Sequence, residues 1–104
     1  MKTILIAATF ASSFMAFGVQ AATPDEILTK SGCMACHAKD KKLVGPAFKD
    51  IAAKYKGQDA VAKLAEKVRK GGSGVFGPIP MSPNGPDKIS DDDLKTSVAA
   101  ILKS

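Results

Sequence analysis

Two cysteines and one histidine lie together in the stretch Cys33-Met34-Ala35-Cys36-His37. Thiols can bind metals, pair as disulfides or form thioethers, and an imidazole can bind iron or zinc. The pattern C-x-x-C-H is the attachment signature of c-type haem. Its spacing lets both thiols reach the vinyl groups on one porphyrin edge while the imidazole lies beneath the ring. The motif therefore predicts one covalently attached haem c, with thioethers at Cys33 and Cys36 and iron bound by His37.

Other chemistries are open to a C-x-x-C pair. A thioredoxin-like redox site expects a βαβ context, but no strand is predicted before Cys33. A structural zinc site needs four N or S ligands, and the chain has only two Cys and one His, so a carboxylate or a second chain would have to complete it. A plain disulfide would suit an oxidising compartment, although short C-x-x-C loops tend to be reactive rather than structural. The adjacent histidine favours haem over all three.

The second axial position on the iron is predicted to belong to Met81. No second His exists, so the strong candidates are Met and Lys. Met1 and Met15 lie in a predicted leader, and Met34 lies in the attachment loop on the same side of the ring as His37. Met81 remains, although a gap-filling core position is the ordinary use of such a residue.

The setting of Met81 supports the ligand prediction. Prolines at positions 78, 80 and 83 stiffen the segment without helix, as a weak thioether ligand requires. His/Met ligation raises the reduction potential of a haem. With both axial positions filled, no substrate reaches the iron easily, so the predicted role is electron transfer.

The composition limits the chain to one small domain. It has 104 residues with a formal charge of +5, from 15 basic and 10 acidic groups. This length leaves no room for a two-domain enzyme. With one Tyr, five Phe and no stacking array, nucleic-acid binding is not predicted.

Residues 1–21 read as a secretory signal peptide, with Lys2 before an apolar stretch and small residues at the end. Cleavage after Ala21 would leave the domain 22–104 and place it in the periplasm. An uncleaved membrane anchor is the alternative, but Thr3–Val19 is 17 residues long and interrupted by polar residues, whereas a span needs about 20 apolar residues. No stable membrane insertion is expected.

The elements that must position the ligands are short helices. Apolar periodicity and capping residues predict four of them and no strand, opening at Thr23, Pro46, Asp59 and Ser90. Between the last two helices lies Gly71–Ile89, with five Gly and four Pro in 19 residues. A structureless segment of that length is unusual unless it is functional. The expected fold is all-α.

The chain resembles the cytochrome c-551/c-552 group of small bacterial class I cytochromes c. The resemblance rests on Cys33–His37, Leu43–Tyr55 and the Gly-Pro-Ile-Pro-Met segment that ends at Met81. It implies about four short helices wrapped around one covalently bound haem, with a long Pro/Gly-rich segment carrying the Met ligand.

The resemblance also implies roles for residues around the ligands. The Pro46 carbonyl should accept a hydrogen bond from the His37 ring, and the Asn84 side chain should contact the region of the Met sulfur. Lys67 and Arg69 resemble the basic residues near a haem propionate, although a solvated helix face explains them equally well.

Three features depart from the family pattern. Phe76 and Ala100 stand where Trp is usual, and Phe76 lacks the indole N–H that contacts a propionate. The segment Gly85–Ile89 is longer than usual and is expected to change the exposed surface near Met81.

The charge distribution predicts an acidic redox partner. Four lysines follow the haem motif, namely Lys39, Lys41, Lys42 and Lys49. A basic rim around a haem edge would steer a monomeric shuttle between a quinol-oxidising complex and a terminal reductase or oxidase. Two alternatives are an enzyme or gas-binding haem protein with an open iron position, and an electron-transfer subunit of a larger haem enzyme.

Overall fold

The computed structural model describes residues 11–13 and 22–104, so most of the predicted signal peptide, with its cleavage site at Ala21, lies outside the described residues. The elements follow in the order α1 (Pro24–Lys30), a 3-10 turn (Cys33–Ala35), α2 (Phe48–Lys54), α3 (Val61–Lys70) and α4 (Asp91–Leu102). This part of the chain contains two isolated backbone bridges and no strand. The prediction of an all-α fold with four short helices is confirmed. None of the described helices has the length and apolar character needed to cross a membrane.

Helices α1 and α4 begin where their capping residues predict. The Thr23 hydroxyl accepts from the Glu26 N–H at 3.3 Å, and the Glu26 carboxylate accepts from the Thr23 N–H at 3.4 Å. At α4, the Ser90 hydroxyl accepts from the Asp93 N–H at 3.2 Å. These bonds satisfy backbone donors that have no partner inside the helix.

Helix α2 begins two residues later than the sequence predicts. Pro46 does not open it; Ala47, with extended backbone at ψ 147°, is the N-cap residue, and it has no side chain that could cap. The first donors of α2 are satisfied by another segment, because the Phe48 and Lys49 N–H groups donate to the carbonyls of Ala38 and Lys39 at 2.9 and 3.1 Å. The chain just after the haem motif therefore caps α2.

Helix α3 also starts differently from the prediction. Asp59 does not cap it; Ala60 holds the N-cap position, and no side chain accepts a hydrogen bond there. Ala60 is only 2% exposed. We attribute the start of α3 to burial of the small Ala60 side chain. The preference of Asp59 for the N-cap position does not determine where the helix begins.

The hydrophobic core lies around α4, which packs against α1, α2 and α3. Its centre is a cluster of Ile27, Ile89, Leu94 and Val98, each at most 5% exposed. Each of these side chains contributes roughly 1.5–3 kcal/mol through removal of apolar surface from water. The 3-10 turn of the haem motif packs on α1, so this core supports the site from behind.

The segment Gly85–Ile89 forms a turn before α4. The Lys88 and Ile89 N–H groups both donate to the Gly85 carbonyl, at 3.0 and 3.3 Å. This turn brings Ile89 into the core at 4% exposure. The segment therefore supplies a core side chain and leads directly into α4.

Candidate functional site

The haem motif is a tight turn closed by its own backbone. Gly32 precedes it with φ +81°, a left-handed conformation that suits glycine. The N–H groups of Cys36 and His37 both donate to the Cys33 carbonyl, at 3.2 and 3.1 Å, and the Gly45 N–H donates to the Cys36 carbonyl at 2.7 Å. Both thiols and the imidazole are therefore carried on one ordered unit.

The His37 ring is fixed by three neighbours. Its Nδ1 lies 2.7 Å from the Pro46 carbonyl oxygen, the contact that the resemblance implies. It stacks on Phe48 with ring centroids 5.4 Å apart and 20° between the planes. A Cβ at Gly45 would lie 2.6 Å from His37 Cε1, so only glycine fits beside the ring.

The hydrogen bond to Pro46 determines which nitrogen of His37 can bind a metal. A carbonyl oxygen only accepts, so Nδ1 carries the proton that it donates. In the neutral ring, Nε2 then keeps its lone pair. Such a contact also orients the imidazole. Nε2 is therefore the ring nitrogen that could bind a metal.

Cys33 and Cys36 are not joined in a disulfide, so both sulfurs are available for thioether bonds. Burial raises the pKa of the Cys33 thiol, partly offset by a backbone hydrogen bond. No group of three or more His, Cys, Asp or Glu side chains that could hold a metal occurs among the described residues. This donor set of two thiols and one imidazole lacks the four ligands of a structural zinc site and fits covalent haem.

Met81 is held against the end of α3 by its backbone. Its N–H and carbonyl pair with the carbonyl and N–H of Gly72, both at 2.9 Å. Gly71, at φ +68°, has no room for a Cβ because the Met81 carbonyl and the Pro83 nitrogen lie against it. The Met81 side chain is half-buried. The segment that carries the sulfur is therefore anchored at Met81 itself.

Asn84 anchors the same segment three residues later. Its backbone N–H donates to the Val68 carbonyl at 3.0 Å, and its side-chain Nδ2 donates to the carbonyls of Val68 and Ser82 at 3.4 and 3.0 Å. The amide nitrogen thus binds backbone. A contact of the Asn84 side chain with the Met sulfur stays a prediction.

The two candidate propionate cations occupy different surroundings. Lys67 Nζ lies beside Gly72, where a Cβ would be 3.2 Å from it. The Arg69 guanidinium instead has three protein acceptors, which are Asn84 O, Ile89 O and Asp91 Oδ1. A contact of Lys67 or Arg69 with a propionate stays a prediction.

Large exposed apolar side chains are confined to two segments of the described chain. They lie between the haem motif and α2 and in the segment before Met81, and are 41–56% exposed: Leu43, Val44, Val75, Phe76 and Ile79. One group follows the His37 turn and the other precedes Met81. Apolar surface at both places is what a porphyrin held between these residues would cover.

Phe76, at the position where the resemblance leads us to expect Trp, has a cationic neighbour. Lys54 Nζ lies 5.4 Å from the centre of the Phe76 ring. A cation over an aromatic face is worth about 0.5–1 kcal/mol at an exposed site. The contact links the end of α2 to the segment that leads to Met81. Ala100, the other departure, is half-buried on α4.

Proteins similar to this chain belong to a family that binds haem c. A family model described as cytochrome c matches residues 22–103. The chain belongs to the cytochrome c family. Cytochrome c2 of Rubrivivax gelatinosus is 52% identical over 84 residues, covering 80% of this chain and 99% of that protein. Cytochrome c-551 of Pseudomonas aeruginosa is 46% identical over 91 residues, covering 86% and 85%.

Solved structures give the same result. The crystal structure of Nitrosomonas europaea cytochrome c552 matches with a TM-score of 0.70 at 48% identity, over 76% of this chain and 96% of that one. The assignment to the small class I bacterial cytochromes c is confirmed. The chain is therefore an electron-transfer protein rather than an enzyme, with one covalently bound haem c for which Cys33 and Cys36 supply the C-x-x-C-H motif.

Two contacts of the site are not visible from sequence. Arg69 bridges α3, the Met81 segment and α4, and Lys54 covers Phe76. Both join residues at least 15 positions apart, and no periodicity or motif marks them.

Proposed function

We propose that His37 Nε2 and the Met81 sulfur are the two axial ligands of the haem iron. Two features of the described structure support this. The Nδ1 contact of 2.7 Å to Pro46 leaves Nε2 available, and this contact is the observation that carries the proposal. The two hydrogen bonds to Gly72 hold Met81 at a fixed place without restraining its side chain.

Each residue then has a defined task in electron transfer. When bound, haem c supplies an iron that alternates between the ferrous and ferric states. Cys33 and Cys36 retain the porphyrin, Pro46 orients the imidazole, and the thioether of Met81 favours the ferrous iron. The exposed apolar residues exclude water from the porphyrin faces. Because both axial positions are filled, electrons pass while molecules are kept from the iron.

The cationic surface beside the haem motif supports docking to an acidic redox partner. Lys39, Lys41, Lys42 and Lys49 are all exposed. Lys39 Nζ lies 2.8 Å from an Asp25 carboxylate oxygen, which reduces its contribution. The other three have no ion-pair partner in the part of the chain that the structure describes. Association of this protein with its acidic redox partner should be fast, weak and salt-dependent.

The cellular role follows from the leader and the site together. The signal-peptide pattern of residues 1–21, cleaved after Ala21, places the domain 22–104 in the periplasm. There the monomeric protein carries single electrons from a quinol-oxidising complex to a terminal reductase or oxidase.

The test is a comparison of haem-loaded wild type with Met81→Ala. The wild-type ferric protein should show the sulfur-to-iron charge-transfer band, and its ferrous form should bind CO poorly at neutral pH. Met81→Ala should lose the band and bind CO readily. Met34→Leu, which removes the other methionine of the domain, should behave as wild type. Equal CO binding by wild type and Met81→Ala would show an iron position that is open from the start, as in a gas-binding protein.

A further inference from the structure

One guanidinium joins three separate parts of the fold. Arg69 lies in the last turn of α3. Its NH1 donates to the carbonyls of Asn84 and Ile89 at 3.1 and 2.7 Å, and its NH2 donates to Asp91 Oδ1 at 2.6 Å. The Arg69 side chain is 20% exposed, whereas that of Asp91 is 79% exposed. The two carbonyl contacts therefore lie in the shielded part of this site.

The two carbonyls lie at opposite ends of the segment between Met81 and α4. Asn84 stands three residues after Met81, and Ile89 is the residue before Ser90, the N-cap of α4. Arg69 thus binds both ends of the segment, from Asn84 to Ile89, that connects the proposed sulfur ligand with α4. Charge-assisted hydrogen bonds of this kind are about twice as strong as those between neutral groups.

The remaining contacts of the Met81 segment come from the same end of α3. Met81 pairs with Gly72, and the Asn84 N–H donates to Val68. These contacts use the N–H groups of Met81 and Asn84 as donors and the Met81 carbonyl as an acceptor. Arg69 adds bonds to the carbonyls of Asn84 and Ile89, so the segment is held beyond Met81 as well.

We propose that Arg69 is a positioning residue for Met81: by holding the Asn84 and Ile89 carbonyls, it limits how often the sulfur-bearing segment opens away from the iron. This inference rests on the proposed ligation by Met81. An external ligand can bind the ferric iron only when that segment is open. Its apparent affinity therefore measures the open population.

The probe is imidazole, titrated into the haem-loaded ferric protein while the sulfur charge-transfer band is followed. Arg69→Gln removes both carbonyl contacts and should tighten imidazole binding about tenfold. Lys70→Gln is the matched control, because Lys70 lies on the same helix, carries the same charge and, among the described residues, pairs only with the exposed Glu66. Asp91→Asn keeps the carbonyl contacts and should stay within about twofold of wild type.

A second measurement needs no iron ligand. Amide hydrogen exchange of Met81 and Asn84, followed by NMR, should be about tenfold faster in Arg69→Gln than in Lys70→Gln. If Arg69→Gln proves too unstable to purify, Arg69→Lys can replace it. This variant keeps the charge but cannot donate from two separate nitrogens, so imidazole affinity and amide exchange rate should both increase by less than in Arg69→Gln.

Equal imidazole affinity and equal amide exchange in Arg69→Gln and Lys70→Gln would overturn the inference. Failure of the proposed function looks different. In that case Met81→Ala keeps the charge-transfer band, while the amide exchange of Asn84 still reports whether Arg69 holds the segment.

Discussion

Gly72 and Met81 exchange two backbone hydrogen bonds of equal length, 2.9 Å each, so that each residue donates to the carbonyl of the other. The bridge closes the Gly- and Pro-rich stretch between them and fixes the backbone of Met81 at the end of α3. Its geometry depends on the residue before it. Gly71 has φ +68° and lies directly against the Met81 carbonyl.

Gly71→Ala should weaken this bridge and the iron–sulfur bond with it. An added Cβ would run into the backbone of residues 81–83 and would also sit at a positive φ. Gly74→Ala is the matched control, because Gly74 has φ +104° but nothing within 4 Å of its Cβ position. We expect Gly74→Ala to cost roughly 1–2 kcal/mol of unfolding free energy, and Gly71→Ala a further 1–3 kcal/mol or so from overpacking.

Urea unfolding of the haem-loaded proteins measures both values, and the ferric charge-transfer band reports the sulfur. Only Gly71→Ala should diminish the band. Identical losses of stability in the two variants, with the band intact, would mean that close packing at Gly71 does not hold Met81.

Gly45→Ala should displace the His37 ring, because the added Cβ would overlap with it. The new Cβ would lie 2.6 Å from His37 Cε1, and the stacked Phe48 ring leaves the imidazole little room to shift. The ring should rotate and lengthen its bond to the Pro46 carbonyl, so the exchange rate of the Nδ1 proton in NMR should rise about tenfold.

The control is Gly85→Ala, whose Cβ would approach only the exposed Asp87 carboxylate, at 2.7 Å. That side chain can swing into solvent, so the Nδ1 proton should exchange as in wild type. An unchanged exchange rate in Gly45→Ala would contradict the view that the missing Cβ keeps the ring in place.

Ser97→Ala should stabilise the protein. Ser97 is 1% exposed on α4, and its hydroxyl oxygen has no hydrogen-bond partner within the described structure. Removing an unsatisfied buried hydroxyl should raise the free energy of unfolding by about 1 kcal/mol. Ser90→Ala, which deletes the cap of the same helix, should lower it by about 1 kcal/mol. Thermal and urea unfolding would show the opposite signs, and a loss of stability in Ser97→Ala would refute the prediction.

The Arg69–Asp91 ion pair should make stability depend on pH in the acid range. The hydrogen bond from Arg69 lowers the pKa of the Asp91 carboxyl, with a smaller contribution from the charge of the same residue. A carboxyl whose pKa is lower in the folded state stabilises the fold fully above its unfolded pKa of about 3.9. That stability is lost as the pH falls through the lowered value.

The wild type should therefore be more stable than Asp91→Asn at pH 6, and the difference should begin to shrink at about pH 4 and disappear below the lowered pKa of Asp91. Urea unfolding at several pH values measures it. Asp92→Asn controls for the loss of a first-turn carboxylate at the positive end of α4. A difference that persists unchanged to pH 2 would rule out the ion pair as its source.

The parts of the site that sequence predicts are those that local chemistry determines. The C-x-x-C-H motif predicts covalently bound haem c, and the capping residues Thr23 and Ser90 predict the starts of α1 and α4 correctly. These features need only neighbours within a few positions, so their signals are present in a short window of residues.

The errors have a common physical cause in tertiary contacts. Asp59 is a good capping residue, yet burial of Ala60 determines where α3 begins. Pro46 is a good first helical residue, yet its carbonyl is held by His37 and α2 starts only at Phe48. Arg69 reads as a solvated or propionate-binding cation, and its three acceptors become visible only once α3 and α4 are packed.

The capping of α2 by the carbonyls of Ala38 and Lys39 bears on protein engineering. Transplanting only the five residues Cys33–His37 into an unrelated helical scaffold would leave the histidine without its Pro46 partner. A successful graft would have to carry the continuous piece from Gly32 through Phe48. The backbone between His37 and Phe48 both orients the imidazole, through the Pro46 carbonyl, and starts the next helix, through the carbonyls of Ala38 and Lys39.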